Sequence, residues 1–327
     1  MGNRTTGEFL NDWLEQAVRG NVRQSTYMAY RGYIVNHLQE QIGGDALADL
    51  RAERLQSVIA TLTAKGLAGK TIRSIMLMLR GALKAAVDYE YIARNPCDKV
   101  RLPKLEEKEV IVFNVGGQRR LEKTIAESGD TRNYGVLICL YTGLRIGELC
   151  GLKWDSVNFG QRTIEIKNSL NRVITYDGGA KKTTLVESAP KTKKSRRTIP
   201  LPPFLCQALK TMKRAGKSEY VISMKSGKAV EPRMMQIVYG KLLKSAGIEY
   251  VNFHTLRHTF ATRAIETGAD VKTVGEILGH ANTMITVNRY AHSLFEQKRR
   301  LMDKLNALYN QKSKSAPFRL RADYACP

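Results

Sequence analysis

Two histidines, His254 and His258, stand four residues apart in HTLRHTFATRA, with Arg257 between them. Positions i and i+4 share a helix face, so the pair could grip a zinc ion as the histidines of H-E-x-x-H enzymes do. That chemistry needs a glutamate beside the first histidine as general base, and Thr255 occupies the position. A third ligand would have to come from His280, His292 or a distant carboxylate, and Arg257 would set a positive charge beside the cation. Arginine with histidine suits a phosphate better. His254 and Arg257, at i and i+3, can address one target from the edge of a helix whose buried face is Leu256, Phe260 and Ala264. A guanidinium fork bonds two non-bridging oxygens at once, and Arg145 in TGLRIGELCGLKW offers a second fork. One arginine alone is more often salt-bridged or on the surface, so the argument rests on the set.

The set needs a scaffold and a polyanion. With 53 Lys and Arg against 30 Asp and Glu, the 327-residue chain carries a formal charge of +23, most of it beyond residue 100, which points to nucleic acid as partner. Cys97, Cys139, Cys150, Cys206 and Cys326 form no C-x-x-C pair and read as reduced, mostly buried thiols of a cytosolic protein. The N-terminus MGNRTTGEFLNDWLEQ lacks the apolar run of a signal peptide, and no apolar stretch reaches the ~18 residues that span a membrane. A soluble, intracellular protein is expected.

Residues 1–97 read as a small four-helix module, from EFLNDWLEQAV, STYMAYRGYIVNHLQEQI, LADLRAERLQSVIATLTAKG and KTIRSIMLMLRGALKAAVDYEYI, each with apolar residues at three-to-four spacing. Pro96, Pro103 and mixed charges suggest an extended linker over 98–112. A second domain, 113–312, opens with the helices QRRLEKTIAES and YGVLICLYTGLRIGELCGL, where Thr142-Gly143 makes a turn that sets Arg145 at a helix start. TIEIKNSL, RVITY and RRTIPL follow as three strands of a small antiparallel sheet, and the chain is helical after Pro202-Pro203. Residues 313–327 have no periodicity and read as a loose tail.

TGLRIGEL with Arg145, HTLRH with His254 and Arg257, LGH with His280 and NRYAH with Tyr290 stand in the order and approximate spacing of the tyrosine recombinase family, the phage and conjugative-transposon integrases, which the chain resembles over nearly its whole length. The resemblance implies a mainly α fold with a small antiparallel sheet: a helical core-site DNA-binding domain that closes with an α+β catalytic domain around the duplex. It makes Tyr290 the nucleophile, Arg145 and Arg257 the phosphate clamp, and His254 and His280 their partners. Glu148 matches an acidic position that holds the arginine and a histidine in place; His258 has a counterpart with no direct role on the phosphate. The family's lysine precedes a hairpin turn. In SAPKTKKSRRTIPL, Lys191 matches it best, with Lys193 as alternative, while Lys193, Lys194, Arg196 and Arg197 read as a solvated basic loop touching DNA backbone.

A site-specific recombinase of a mobile element is implied, cleaving double-stranded core sites through a 3′-phosphotyrosyl link and a Holliday junction, with no cofactor, metal or ATP. The partners implied are a homo-tetramer on DNA, monomeric when free, and an accessory excision or DNA-bending protein, in a cytoplasmic, nucleoid-associated setting. Leu294, Leu301, Leu305 and Leu308 form a stripe suited to a neighbouring protomer or, equally, to its own domain. The arm-binding domain of larger integrases is not seen ahead of Thr5, which fits a simple-type recombinase or a trimmed chain. The alternatives are a catalytically silent DNA-binding regulator on the same fold and a topoisomerase of related chemistry.

Overall fold

The computed structural model describes residues 4–105, 110–177, 180–188, 196–280, 299 and 301–307. The chain clusters into two units, Met1–Lys108 with Val173–Thr184, and Glu109–Arg172 with Leu185–Pro327. Among the described residues no helix is long and apolar enough to cross a membrane.

The first unit is built on helices α1 (Thr6–Trp13), α2 (Gln24–Tyr33), α3 (Gln39–Ile42), α4 (Ala52–Ala64) and α5 (Gly69–Asp88). Thr5 starts α1 with a capping box: its hydroxyl accepts from Glu8 N while its own N–H donates to the Glu8 carboxylate. The periodicity that predicts α4 and α5 is the periodicity of burial, through Leu55, Val58, Ile59 and Leu62 on one and Ile72, Ile75, Leu79, Leu83 and Ala86 on the other. Removing each such Leu, Val or Ile side chain from water contributes about 1.5–3 kcal/mol. The stretch read as a linker is tethered where it begins. Gln56 exchanges two hydrogen bonds with the Arg101 backbone, at 3.0 and 3.3 Å, and Arg73 Nε donates to Pro103 O at 2.8 Å.

The second unit runs through α6 (Val115–Glu127), α7 (Tyr134–Thr142), α8 (Ile146–Cys150), α9 (Pro203–Ala215), α10 (Pro232–Ser245), α11 (His254–Glu266) and α12 (Val271–Leu278). Helix α7 is apolar all round and sits inside the core, against α11. It ends at Gly143, whose φ of +66° suits glycine, and where a Cβ would lie 2.6 Å from Leu278 Cδ2 and 2.7 Å from Phe260 Cδ1. The turn demanded by Thr142-Gly143 is therefore also a close approach of three helices.

The fold is mainly helical with small antiparallel sheets, as the sequence implies, but the strands are distributed differently. Strands β1 (Val157–Asn158), β2 (Thr163–Glu165) and β5 (Thr198–Pro200) form one sheet in the order β1-β2-β5, with Ile164 opposite Ile199. Strands β3 (Ser169–Asp177) and β4 (Ala180–Ser188) pair separately as a hairpin. RVITY belongs to that hairpin and not to the sheet, and β4 comes from a segment whose lysines and threonines hide any alternation. The four described cysteines, Cys97, Cys139, Cys150 and Cys206, are buried and free, and burial pushes the thiols of Cys97 and Cys150 up to about 12. Cys326 lies outside the described residues.

Candidate active site

Gly143 is followed by Leu144, buried, and then by Arg145, whose extended backbone makes it the N-cap of α8. Arg145 N–H donates to Glu148 Oε2 at 3.0 Å, and its Nη1 donates to Oε1 of the same carboxylate at 2.8 Å. Its Nη2 reaches Gly279 O at 3.2 Å, while 38% of the side chain stays exposed. The i+3 spacing read in the sequence is thus a cap and an ion pair at once.

Arg257 approaches the same turn from another helix. It lies one turn into α11, 2% exposed, with Nη1 on Gly143 O at 2.7 Å and Nη2 on Leu278 O at 2.6 Å. Leu278 ends α12, and Gly279 closes the helix at φ +65° with His280 N–H donating back to Gly275 O at 3.0 Å. Both guanidinium groups are therefore tied to the turn at 278–279, immediately ahead of His280, and Arg257 is also tied to the carbonyl two residues before Arg145. Two guanidinium groups are thus held at one turn by hydrogen bonds to backbone carbonyls.

Helix α11 departs from its expected face. Leu256 is fully buried, but Phe260 and Ala264 are half-buried against a small cluster of Ala261, Ile265, Val274 and Leu278. Thr255, Arg257, Thr259, Ala261, Thr262 and Ile265 are buried as well, so the helix is enclosed on most sides and no 3.6-residue stripe marks its interior. Thr259 is part of the packing, accepting from Phe113 N–H at 3.0 Å and donating to Thr255 O at 2.8 Å.

His254, first residue of α11, is exposed and His258 is half-buried; their rings meet edge to face with centroids 4.6 Å apart. Among the described residues no third His, Cys, Asp or Glu joins them in a metal-binding group. Thr255, where the zinc reading would need its base, is 1% exposed and points into the core. His258→Ala is expected to lower stability by about 1–2 kcal/mol while strand cleavage stays within a few-fold of wild type, measured by thermal melting beside cleavage rate.

Glu148 is 5% exposed and carries more than Arg145. Arg197 grips it from the other side, with Nη1 to Oε1 at 3.0 Å and Nη2 to Oε2 at 2.9 Å. Burial alone would raise this carboxyl; the Arg197 hydrogen bonds and charge, with the Arg145 N–H and charge, outweigh it and hold the group at about 2. The reading of Arg197 as a contact to DNA backbone is corrected here. Its side chain is 6% exposed, its guanidinium is taken up by Glu148, and its Nε donates to Ile277 O. Strand alternation explains the placement: Arg197, Ile199 and Leu201 share one side, the last two buried, while Arg196, Thr198 and Pro200 are exposed. That period of two was the signal for Arg197, masked by the run of basic residues around it.

Lys191, Lys193, Lys194 and Tyr290 lie outside the described residues, as do His292, Leu294 and Leu308. Leu301 and Leu305 lie in a described helical stretch, 301–307, and are about half exposed.

The phage integrase family matches residues 119–297, and the N-terminal SAM-like domain of phage integrases matches residues 5–63. A tyrosine recombinase XerC-like protein of Caldanaerobacter subterraneus subsp. tengcongensis is 30% identical, over 93% of this chain and 83% of its own. Among solved structures, the Tn1549 transposon integrase in complex with a circular intermediate DNA shares the fold at a TM-score of 0.78, with 23% identity over 92% of this chain and 99% of that one. A lambda integrase tetramer bound to a Holliday junction follows at 0.65, with 17% identity over 85% and 78%. On the motifs, the fold and these matches together, the chain belongs to the phage integrase family of tyrosine recombinases.

Proposed function

We propose that this site-specific recombinase cleaves one strand of a double-stranded core site with Tyr290 and holds the scissile phosphate between Arg145 and Arg257. The observation that supports this most is the anchoring of both arginines to the turn at 278–279, ahead of His280. A tyrosine hydroxyl, with pKa near ~10, is a poor nucleophile at neutral pH and a phosphodiester repels it, so positive charge is needed on both counts. Arg145, Arg257 and His280 donate to the phosphoryl oxygens as charge builds in the pentacoordinate transition state. His254, at the exposed start of α11, accepts the tyrosine proton. Lys191, or Lys193 in its place, protonates the leaving 5′-oxygen.

The product is a 3′-phosphotyrosyl bond and a free 5′-hydroxyl. A second strand's 5′-hydroxyl attacks that bond and reseals it, so no cofactor enters the balance. Charge favours duplex DNA as partner, and the exposed Arg196 is suited to a backbone contact. The lambda integrase tetramer on a Holliday junction supports a homo-tetramer formed on DNA, and a monomer free of DNA belongs to the same reading. The half-exposed Leu301 and Leu305 suit a neighbouring protomer in it. Action on a mobile element, nucleoid-associated in the cytoplasm and aided by an excision or DNA-bending protein, belongs to the same reading.

The test uses a nicked duplex carrying the joined ends of the genetic element that encodes the chain. A covalent adduct that forms in EDTA, and not on an unrelated duplex, is expected. No adduct from wild type would favour a silent regulator, and relaxation of any supercoiled plasmid would favour a topoisomerase.

A further inference from the structure

We propose that Arg197 is a positioning residue of the cleavage site: clamped across both Glu148 oxygens and onto Ile277 O, it sets Arg145 against the turn that carries His280. The inference rests on the recombinase reading and adds a residue to it.

Three parts of the site converge on this one side chain. Through Glu148 it reaches the N-cap of α8, because the same carboxylate takes the Arg145 N–H and Nη1. Through Ile277 O it reaches the end of α12, one residue before the carbonyl that Arg257 uses. Through its own backbone it belongs to the sheet, since Arg197 O accepts from Ile166 N–H at 2.9 Å and β5 starts at the next residue. Chain connectivity adds the fourth part, because Arg197 follows Lys191 and Lys193 in the same short segment.

Gly279 shows how closely these parts fit. A Cβ there would lie 3.1 Å from both Cδ and Nη1 of Arg197, and Gly279 O is the acceptor for Arg145 Nη2. The LGH glycine therefore lies with one side on Arg197 and its carbonyl on Arg145. A guanidinium is needed at position 197 because its planar fork covers two carboxylate oxygens while Nε addresses the Ile277 carbonyl; an ammonium satisfies one such partner well. A residue that merely touched DNA would need none of these bonds, and its side chain would be exposed.

The experiment compares wild type, Arg197→Lys, Arg197→Met, Glu148→Gln and the Glu148→Gln/Arg197→Met double variant. Each is the full chain, its folding checked by near-ultraviolet circular dichroism at the assay temperature. The readouts are the single-turnover rate of adduct formation on the nicked joined-ends duplex and, separately, affinity for the same duplex by gel shift. Arg197→Met is expected to slow adduct formation about 100-fold with affinity within about threefold, the split that marks loss of a transition-state arrangement. Arg197→Lys is expected to recover part of the rate, and the double variant to fall within about threefold of the slower single one, since both residues act along one path. Three results would overturn the proposal: a folded Arg197→Met cleaving within about threefold of wild type, a loss of affinity as large as the loss of rate, or additive losses in the double variant. Should Arg197→Met fail to fold, Arg197→Lys carries the same comparison, with a slowing of about tenfold at unchanged affinity expected and an unchanged rate fatal to the proposal. A wild type that forms no adduct overturns the recombinase reading itself, before any variant is compared.

Discussion

Tyr290→Phe is expected to abolish covalent capture of DNA, lowering adduct formation by at least about 10⁴-fold, with duplex affinity unchanged. The substitution removes one oxygen and nothing else of the ring, so whatever the side chain contributes to packing is kept. On the proposed mechanism what disappears is the oxygen that takes the phosphoryl group, and stabilising the transition state does not substitute for a missing nucleophile. Gel shift on the intact joined-ends duplex and denaturing electrophoresis on the nicked one separate the two effects in a single preparation.

Arg257→Ala is expected to slow cleavage about 10²- to 10³-fold, the cost typical of losing one preorganised donor to a developing oxyanion. The structure adds a second consequence that the motif alone does not carry. Arg257 is 2% exposed and donates to Gly143 O and Leu278 O, the carbonyls just past α7 and at the end of α12. Alanine leaves both without that donor in a closed space, at about 1–3 kcal/mol for each buried acceptor left unmet. Thermal melting should therefore fall together with the cleavage rate. Arg257→Lys separates the two, because a lysine restores charge but cannot span both carbonyls. Its melting temperature is expected between those of alanine and wild type, with cleavage still at least about tenfold down.

Much of the site is legible in the residues because its geometry is local. A glycine that only a left-handed turn requires stands two residues before Arg145, and the i+3 spacing of Glu148 and the one-turn spacing of His254 and Arg257 are helix geometry. The helices of the first unit are legible for the same reason, since burial repeats with the turn. Where the sequence misleads, the cause is a distant partner. Arg197 sits in a run of basic residues that composition assigns to solvent, and Glu148, 49 positions earlier, offsets the cost of its burial together with Ile277 O. Helix α11 is enclosed on most sides, so its threonines and Arg257 are interior, and no amphipathic pattern survives to announce it. The β4 half of the hairpin carries no strand pattern, because a two-stranded ribbon buries too little for its polar residues to alternate.

The two histidines that open the question part company for a local reason too. His254 is exposed at the first position of α11, ahead of the buried Arg257, whereas His258 lies half-buried one turn on, with its ring edge to face against His254. The first lies open to solvent; the second packs against it.

The most direct measurement is to isolate the adduct formed by wild type on the nicked joined-ends duplex in EDTA, digest the protein, and identify the peptide that carries the nucleotide. The expected result is a single phosphotyrosyl peptide containing Tyr290, joined to a DNA 3′-phosphate and leaving a free 5′-hydroxyl. An adduct on another residue, one through a 5′-phosphate, or one that persists in Tyr290→Phe would contradict the account.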